Sequence, residues 1–285
     1  MTSANPNIDQ RQRFSFDNTD IRGEIALLEN SYQAVLERHD YPALIANAIG
    51  ELMAATALLS SNLKFAGRIT LQVRLPGNVS LLQAESNEQG ELRAIARYDD
   101  QANRRELALD DGQLAITIEP ENGQRYQGIT AIQGGDIAQA LTDYFEQSEQ
   151  LGSRFWLFCN GQRAAGFMLQ KLPSSDNNDP DAWDRLTHLA STIKADELLS
   201  LSHRDMLHRL YHEELVRTYP HSALSFHCTC SKDRTGNALH QLGYDELNDM
   251  LNETGSISIT CEFCQQEYRF LRDDVEALFP ERHPH

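Results

Sequence analysis

The spacing of hydrophobic and polar residues predicts helices followed by strands in the first part of the chain. Apolar residues recur at helical intervals from Ile21 to Arg38, which predicts a helix there. A second predicted helix opens at Pro42 and runs to about Leu63. From Arg68 to Leu75 apolar and polar residues alternate strictly, and this alternation predicts a strand with one side in water.

Several shorter apolar segments extend this first domain. The predicted strands are Val79 to Ala84, Leu92 to Tyr98, Leu114 to Glu119, Tyr126 to Ile132, Phe155 to Cys159 and Gly166 to Leu172. Gly134-Gly135 interrupts them, and Asp136 predicts the start of a helix that runs to about Gln150. Because the strands do not alternate regularly with helices, the pattern predicts an α+β domain over residues 1–177.

A polar segment from Pro173 to Asp181 contains no hydrophobic residue and marks a domain boundary. Two amphipathic helices are predicted after it, within a linker over residues 178–222. Their apolar stripes are Trp183, Leu186, Leu189 and Ile193, and Leu207, Leu210, Tyr211 and Leu215. Ser202 and Asp205 form a capping box for the second helix, and Tyr219-Pro220 predicts its end. Each apolar stripe must pack against another apolar surface of the protein. Permanent docking on the first domain is the favoured interpretation, and reversible docking is the alternative.

The third predicted domain, residues 223–285, contains four of the five cysteines in two close pairs. Cys228-Thr229-Cys230 and Cys261-Glu262-Phe263-Cys264 give the pattern C-x-C and C-x-x-C. Four thiolates form the tetrahedral set that structural zinc prefers, so the pattern favours one zinc ion per chain. Disulfides or redox thiols without a metal, and unpaired core cysteines, are the alternatives. A bridge across one residue closes a strained ring, which suits regulation more than permanent cross-linking.

This domain is too small to be held together easily by its apolar residues alone. Its predicted core residues are Leu239, Leu242, Leu247, Met250, Ile257, Ile259, Phe263, Tyr268 and Phe270. Zinc binding contributes on the order of 10–16 kcal/mol to folding in comparable modules. Loss of the metal is therefore expected to unfold the domain.

Composition limits the class of protein. The net charge of −17 and the absence of a Lys/Arg cluster argue against nucleic-acid binding. The low cysteine content and the polar first ten residues, which carry no export signal, favour a reducing cytoplasm. Ala43 to Ser60 has one charged residue, but its alanine-rich composition favours a buried core helix over a membrane span.

Sequence motifs for nucleotide binding and for hydrolytic enzymes are absent. His208 and His212 lie four residues apart, and a solvent-facing pair is favoured over a metal pair. His227 adjoins Cys228, but four sulfurs already complete a tetrahedron. Cys159 is predicted to be a small buried hydrophobe. The remaining candidates, Lys232 and Arg234, either lower the thiol pKa values or are two exposed charges.

The cysteine motifs carry a resemblance to a known family. Phe226-His-Cys-Thr-Cys-Ser231, Cys261-Glu-Phe-Cys264 and the preceding Arg209-Leu-Tyr-His-Glu-Glu214 resemble the heat-shock protein 33 family of redox-regulated holdase chaperones. Upstream, Arg125-Tyr-Gln-Gly128 and Ala164-Ala-Gly166 are similar to that family as well. The resemblance covers roughly residues 14–280.

The resemblance implies a mechanism. Zinc would be held by Cys228, Cys230, Cys261 and Cys264 in an inactive reduced form. Oxidation would pair Cys228 with Cys230 and Cys261 with Cys264, release zinc, and unfold the third domain. The linker would then expose apolar surface, and unfolding client proteins would bind to the first domain without ATP. Family members commonly form homodimers when active.

Two other functions stay open from the residues alone. The first is a thiol-disulfide oxidoreductase that uses Cys261 and Cys264, although no thioredoxin-like strand and helix pattern surrounds this pair. The second is a constitutive, zinc-stabilised interaction module. The expectation from the sequence is a protein that is not an enzyme and binds neither nucleic acid nor a membrane.

Overall fold

The computed structural model describes residues 9–99, 109–173 and 179–280. Backbone contacts divide the chain into two compact units, Met1–His227 and Cys228–His285. Each contains helices and strands, so the predicted α+β class is confirmed. The division into a client-binding domain, a linker and a redox domain at residues 177/178 and 222/223 stays a prediction.

The first unit contains two sheets in its described residues. Its strands are β1 Gln10–Phe16, β2 Ile21–Leu28, β3 Gly67–Arg74, β4 Val79–Asn87, β5 Glu91–Tyr98, β6 Gln113–Pro120, β7 Tyr126–Ala131, β8 Ser153–Cys159, β9 Ala164–Lys171, β10 Val216–Thr218, β11 Ser222–Ala223 and β12 Ser225–Phe226. Its helices are α1 Asn30–Leu36, α2 Ala43–Ser60, α3 Ile137–Gln147, α4 Ala182–Ala190, α5 Ala195–Ser200 and α6 His203–Tyr211. Sheet 1 has the strand order β10-β1-β2-β9-β8, with β11 also paired to β1, and sheet 2 has the order β12-β5-β4-β3-β6-β7.

Helix α2 is the centre of this unit. It contacts strands of both sheets, and its side chains from Leu52 to Leu59 are buried. Among the described helices it alone is long and apolar enough to cross a membrane, but 78% of that window is buried inside the protein. The predicted core helix is therefore confirmed, with Pro42 at its N-cap.

The predicted helix over Ile21 to Arg38 is wrong in its first half. Ile21–Leu28 is the strand β2, which pairs with β1 on one side and β9 on the other, and only Asn30–Leu36 is helical. Most side chains of β2 are buried, because helices cover both faces of sheet 1. A strand buried on both faces has an almost continuous apolar sequence, so the period of two is not visible.

The outer face of sheet 1 is the docking surface of the linker helices, which the sequence left open. Phe14, Phe16 and Phe167 on the sheet form one apolar cluster with residues of α4, α5 and α6. The ring centroids of Phe16 and Tyr211 are 4.8 Å apart in an edge-to-face arrangement. Leu210 is 3% exposed. In the structure described here, the two predicted apolar stripes are therefore largely covered.

The second linker helix is shorter than predicted. Ser202 caps it, as expected, by accepting a hydrogen bond from the Asp205 backbone N–H. It ends at Tyr211 rather than at Tyr219, because the chain turns and pairs with β1 as strand β10. Leu215 is consequently 69% exposed and does not belong to the apolar stripe.

Residues 216–227 form a segment that we call the strap. Its first strands, β10 and β11, pair with β1 of sheet 1, and its last strand, β12, pairs with β5 of sheet 2. Leu224 is buried in the core between the two sheets. The strap therefore joins the edges of both sheets, and its last residue, His227, directly precedes Cys228.

The second unit contains two strands and three helices in its described residues: α7 Lys232–His240, α8 Tyr244–Thr254, β13 Ile257–Thr260, β14 Glu267–Phe270 and α9 Arg272–Ala277. Its buried core is Leu239, Leu247, Leu251, Ile257, Phe270, Val275 and Phe279. The sequence predicted Leu242 and Met250 in this core, but they are 50% and 39% exposed. The core is small, as the sequence indicated.

A buried histidine lies at the start of α6 in the first unit. His203 is 2% exposed, and neither ring nitrogen has a hydrogen-bond partner among the described residues. Its ring centroid is 5.5 Å from that of His221 in the strap. Burial lowers the pKa of His203 to about 3, and His221 adds to this effect. The docked linker therefore holds this imidazole in its neutral form.

We expect this histidine to make linker docking sensitive to acid. Below pH ~6.5 the unfolded chain takes up a proton that folded His203 does not, so stability falls as the pH drops towards 3, by up to ~1.4 kcal/mol per pH unit. His203→Phe should remove this contribution to the dependence of the unfolding free energy on pH. Trp156 and Trp183 both pack against the apolar cluster between sheet 1 and the linker helices. Tryptophan fluorescence during urea unfolding at several pH values therefore measures the free energy of unfolding of each variant. The exposed His208→Gln is the control, and parallel curves for wild type and His203→Phe would contradict the expectation.

Candidate metal centre

Two local structures present the four paired cysteines. Cys228 and Cys230 precede α7, whose N-cap Ser231 accepts a hydrogen bond from the Arg234 backbone N–H. Cys261 and Cys264 lie in the loop of the β13–β14 hairpin. The β-hairpin and the helix N-terminus together place both pairs at one site.

Backbone hydrogen bonds close the hairpin loop tightly. The Cys261 N–H donates to the Gln266 carbonyl at 2.9 Å, and the Gln265 N–H donates to the Cys261 carbonyl at 2.9 Å. Gln265 adopts a left-handed conformation with φ of 59°. This conformation turns the chain sharply after Cys264, within the loop that carries both thiols.

The four sulfur atoms converge. Cys228 Sγ is 3.7 Å from Cys261 Sγ, and Cys230 Sγ is 3.3 Å from Cys264 Sγ. All four sulfurs lie within 4.8 Å of one another. Four thiolates at about 2.3 Å from a central zinc ion would be about 3.8 Å apart, so the donor set fits a tetrahedral ion. The four cysteines could hold a metal ion.

The electrostatics of the cluster oppose four free thiolates. Burial, together with the neighbouring thiols, raises the pKa of the Cys264 thiol to about 12 against the opposing effect of the Gln266 N–H. Thiols packed this closely cannot all lose their protons unless a positive charge compensates them. A bound cation supplies that charge, and its binding releases protons.

Three polar side chains surround the cysteines. The Tyr268 hydroxyl donates to Cys230 Sγ at 3.1 Å. Arg234 donates to the Thr229 carbonyl at 3.0 Å and to the Thr229 hydroxyl at 2.8 Å. Arg234 therefore fixes the residue between the first two cysteines. Lys232 pairs with Asp274 at 2.7 Å. The sequence singled out Arg234 for its charge rather than for this contact with Thr229, and it did not indicate that Tyr268 reaches Cys230.

The other candidate residues lie outside this cluster. His208 on α6 and His212, the C-cap of α6, are exposed, as predicted, with ring centroids 5.9 Å apart. His227 Nδ1 is 3.9 Å from a Glu91 carboxylate oxygen. Cys159 lies on β8 in the first unit, half-buried against the core, and burial raises its pKa. Among the described residues, the group with metal-ligand geometry consists of the four paired cysteines.

Comparison with known proteins identifies the family. The Hsp33 protein family model matches residues 9–271. The chain belongs to the Hsp33 family. It is 47% identical over 284 residues to the 33 kDa chaperonin of Pseudomonas syringae pv. tomato, with 96% of this chain and 94% of the relative covered. It is 48% identical over 281 residues to the 33 kDa chaperonin of Pseudomonas aeruginosa, with 95% and 94% covered.

A solved structure agrees in fold. The 33 kDa chaperonin of Thermotoga maritima superimposes with a TM-score of 0.81 at 20% identity, and the match covers 96% of this chain and 98% of that one. The family and the names of the relatives support a chaperone function. Hsp33 is a chaperone family.

We expect one divalent metal ion per reduced chain, held by the four clustered thiols. Native mass spectrometry of the reduced protein should show one bound zinc ion. Cys261→Ser removes one of four thiolates and should weaken zinc binding at least tenfold, because an alcohol is a poor zinc ligand at neutral pH. Cys159→Ser is the matched control and should keep full zinc content. Full zinc occupancy in Cys261→Ser would exclude Cys261 as a ligand.

Proposed function

We propose that this protein is a redox-regulated, ATP-independent holdase chaperone of the cytoplasm. In its reduced form Cys228, Cys230, Cys261 and Cys264 hold one zinc ion and the protein is inactive. Under oxidative stress it binds unfolding proteins and keeps them from aggregating. The observation that carries the proposal is the convergence of four sulfurs within 4.8 Å in a compact unit with a small apolar core.

The zinc ion, when bound, supplies folding energy and keeps the four sulfurs deprotonated. Two pairs of thiolates are the groups that react. Each pair gives up two electrons and forms one S–S bond, while one peroxide molecule takes up two protons and becomes two water molecules. We propose the pairs Cys228–Cys230 and Cys261–Cys264, which are neighbours in the sequence and can remain bridged after the unit unfolds.

Other pairings are also within reach before the unit unfolds. Cys230 Sγ and Cys264 Sγ, which belong to different local structures, are 3.3 Å apart. A bridge there would cross-link the C-x-C segment to the hairpin loop and would hold the unit together. The bridges Cys228–Cys230 and Cys261–Cys264 instead leave no sulfur link between the C-x-C segment and the hairpin loop. They therefore fit a switch in which oxidation unfolds this unit.

Unfolding of the second unit would act on the linker through the covalent chain. Cys228 follows His227, the last residue of the strap. The strap pairs with the edges of sheets 1 and 2 through strands of only two or three residues. Short edge strands open easily. Once they open, α6 loses the segment that holds its C-terminal end, and the apolar face of sheet 1 becomes accessible to clients.

The clients are unfolding proteins with exposed apolar segments. The outer face of sheet 1 and the inner faces of α4, α5 and α6 would offer matching apolar surfaces. Two exposed copies of this surface would also favour a homodimer in the oxidised form. Neither nucleic acid nor a membrane is part of the proposed function.

The proposal predicts a redox-gated holdase activity without nucleotide. Reduced, zinc-loaded protein should barely slow the aggregation of a thermally unfolding client, measured by light scattering. Protein oxidised by peroxide under mildly unfolding conditions should slow it strongly with no ATP added. Cys159→Ser should behave like wild type in both states.

Other results would point to the alternatives. Equal protection by both forms would leave a constitutive interaction module. Catalytic turnover of thiols without client protection would indicate a thiol-disulfide oxidoreductase. Cys261 and Cys264 lie in a hairpin loop rather than at a helix N-terminus, where the nucleophilic pair of thiol oxidoreductases is activated. This position argues against a thiol-disulfide oxidoreductase.

The docked linker gives a second prediction. Leu210→Asp places a charge in the cluster between α6 and sheet 1, and burial of one leucine contributes about 1.5–3 kcal/mol. The variant should undock the linker and protect clients even when reduced. Leu215→Asp, on the exposed side, is the matched control and should stay inactive.

Hydrogen exchange locates the change. In Leu210→Asp and in oxidised wild type, amides of residues 182–211 should lose protection, while strands β3 to β6 keep it. A Leu210→Asp variant with a freely exchanging linker and no activity would separate linker release from client binding and would contradict the mechanism.

A further inference from the structure

We propose that Tyr268 is a positioning residue of the four-cysteine centre, whose hydroxyl fixes the Cys230 sulfur for metal binding and slows the reaction of that sulfur with oxidants. The proposal rests on the zinc centre of the proposed function and adds a residue outside the ligand set. The phenol oxygen lies 3.1 Å from Cys230 Sγ, within hydrogen-bonding distance for sulfur.

The hairpin holds Tyr268 in this position. Tyr268 pairs with Ile259 across the β13–β14 hairpin, and its neighbour Phe270 is buried in the core of the second unit. The ring of Tyr268 packs against the same core. The ring is thus anchored by apolar contacts, and the hydroxyl projects from the hairpin to a cysteine on the other local structure. One side chain therefore links the hairpin to the C-x-C segment.

The four sulfurs are not equivalent in their surroundings. Cys230 accepts a hydrogen bond from the Tyr268 hydroxyl, whereas Cys264 accepts one from the Gln266 backbone N–H and also contacts the other three thiols. Both donors withdraw electron density from a metal-bound thiolate, which lowers its reactivity towards peroxide. The hydroxyl on Cys230 can be removed by a side-chain substitution without changing the backbone. Tyr268→Phe tests this hydrogen bond alone, because the apolar ring stays.

Two consequences follow for the switch. Outer hydrogen bonds to metal ligands typically change metal affinity by about 10–100-fold, so loss of this bond should weaken metal binding. The Cys228–Cys230 bridge needs the Cys230 sulfur, so a more reactive Cys230 should also speed oxidation. Tyr268 thus sets the oxidant concentration at which the cysteines are oxidised and the metal is released, without contacting the metal itself.

The test uses the full-length reduced protein loaded with Co²⁺ or Zn²⁺. Tyr268→Phe should bind Co²⁺ roughly tenfold more weakly in a chelator competition and shift the thiolate-to-cobalt charge-transfer band to lower energy. Peroxide should release Zn²⁺ several-fold faster, measured with a chromogenic chelator. Tyr244→Phe, the same substitution at a ring that contacts Phe279 edge-to-face in the same unit, is the matched control and should match wild type in cobalt affinity and zinc release.

Site-resolved alkylation with mass spectrometry separates positioning from a general loss of structure. In zinc-loaded Tyr268→Phe, Cys230 should be modified faster than in wild type, while the rate at Cys261 stays unchanged. Equal acceleration at all four cysteines, together with lost hydrogen-exchange protection in β13 and β14, would assign Tyr268 a purely structural role and overturn the proposal. Unchanged affinity, spectrum and release would also overturn it. A wild-type protein that binds neither metal would refute the zinc centre, whereas normal wild-type binding with an unaffected variant refutes only the role of Tyr268.

Discussion

The apolar outer face of sheet 1 is the constraint on which the first unit depends. Phe14, Phe16 and Phe167 place their rings side by side on this face, and the centroids of Phe14 and Phe167 are 5.3 Å apart. The inner face is already occupied by α2. A sheet with two apolar faces needs a second cover, because an exposed patch of this kind binds other proteins or aggregates. The linker helices supply that cover within the same chain, and for this reason a change in the linker can alter what the protein binds.

The second unit depends on a different constraint. Seven buried apolar residues are a small core for a domain, and the four cysteines lie at the junction of its C-x-C segment and its hairpin. Cross-links or a metal usually stabilise units of this size. The two units thus depend on different interactions: apolar burial holds the first, whereas the proposed redox switch acts on the four sulfurs of the second.

Parts of the fold could be predicted from the sequence for identifiable reasons. Strands β3 to β6 of sheet 2 lie within a few residues of their predicted bounds, and in β3 the alternation of apolar and polar residues is visible in the sequence. Strand β2 was missed because both of its faces are buried. The stripes on α4 and α6 showed that a cover exists, but an amphipathic pattern does not say which surface provides it. The cysteine pairs were visible from their spacing, whereas Tyr268 reaches Cys230 across 38 residues, and no local pattern encodes that contact.

The strap links the linker helices to Cys228 along the chain. It is held to the first unit by few buried contacts and short strands. Its three strands contain two or three residues each and lie on the edges of the sheets, whereas β2 and β9 pair over eight residues in the middle of sheet 1. Only Leu224 of the strap is fully buried, and a single buried leucine contributes about 1.5–3 kcal/mol. Local opening follows the number of buried contacts and ladder hydrogen bonds, so the strap should open before the linker, and the linker before α2 and the sheets. In the proposed mechanism, this order lets a loss of structure that begins at Cys228 pass to the linker helices and stop at the sheets, whose apolar surface would stay intact for a client to bind to it.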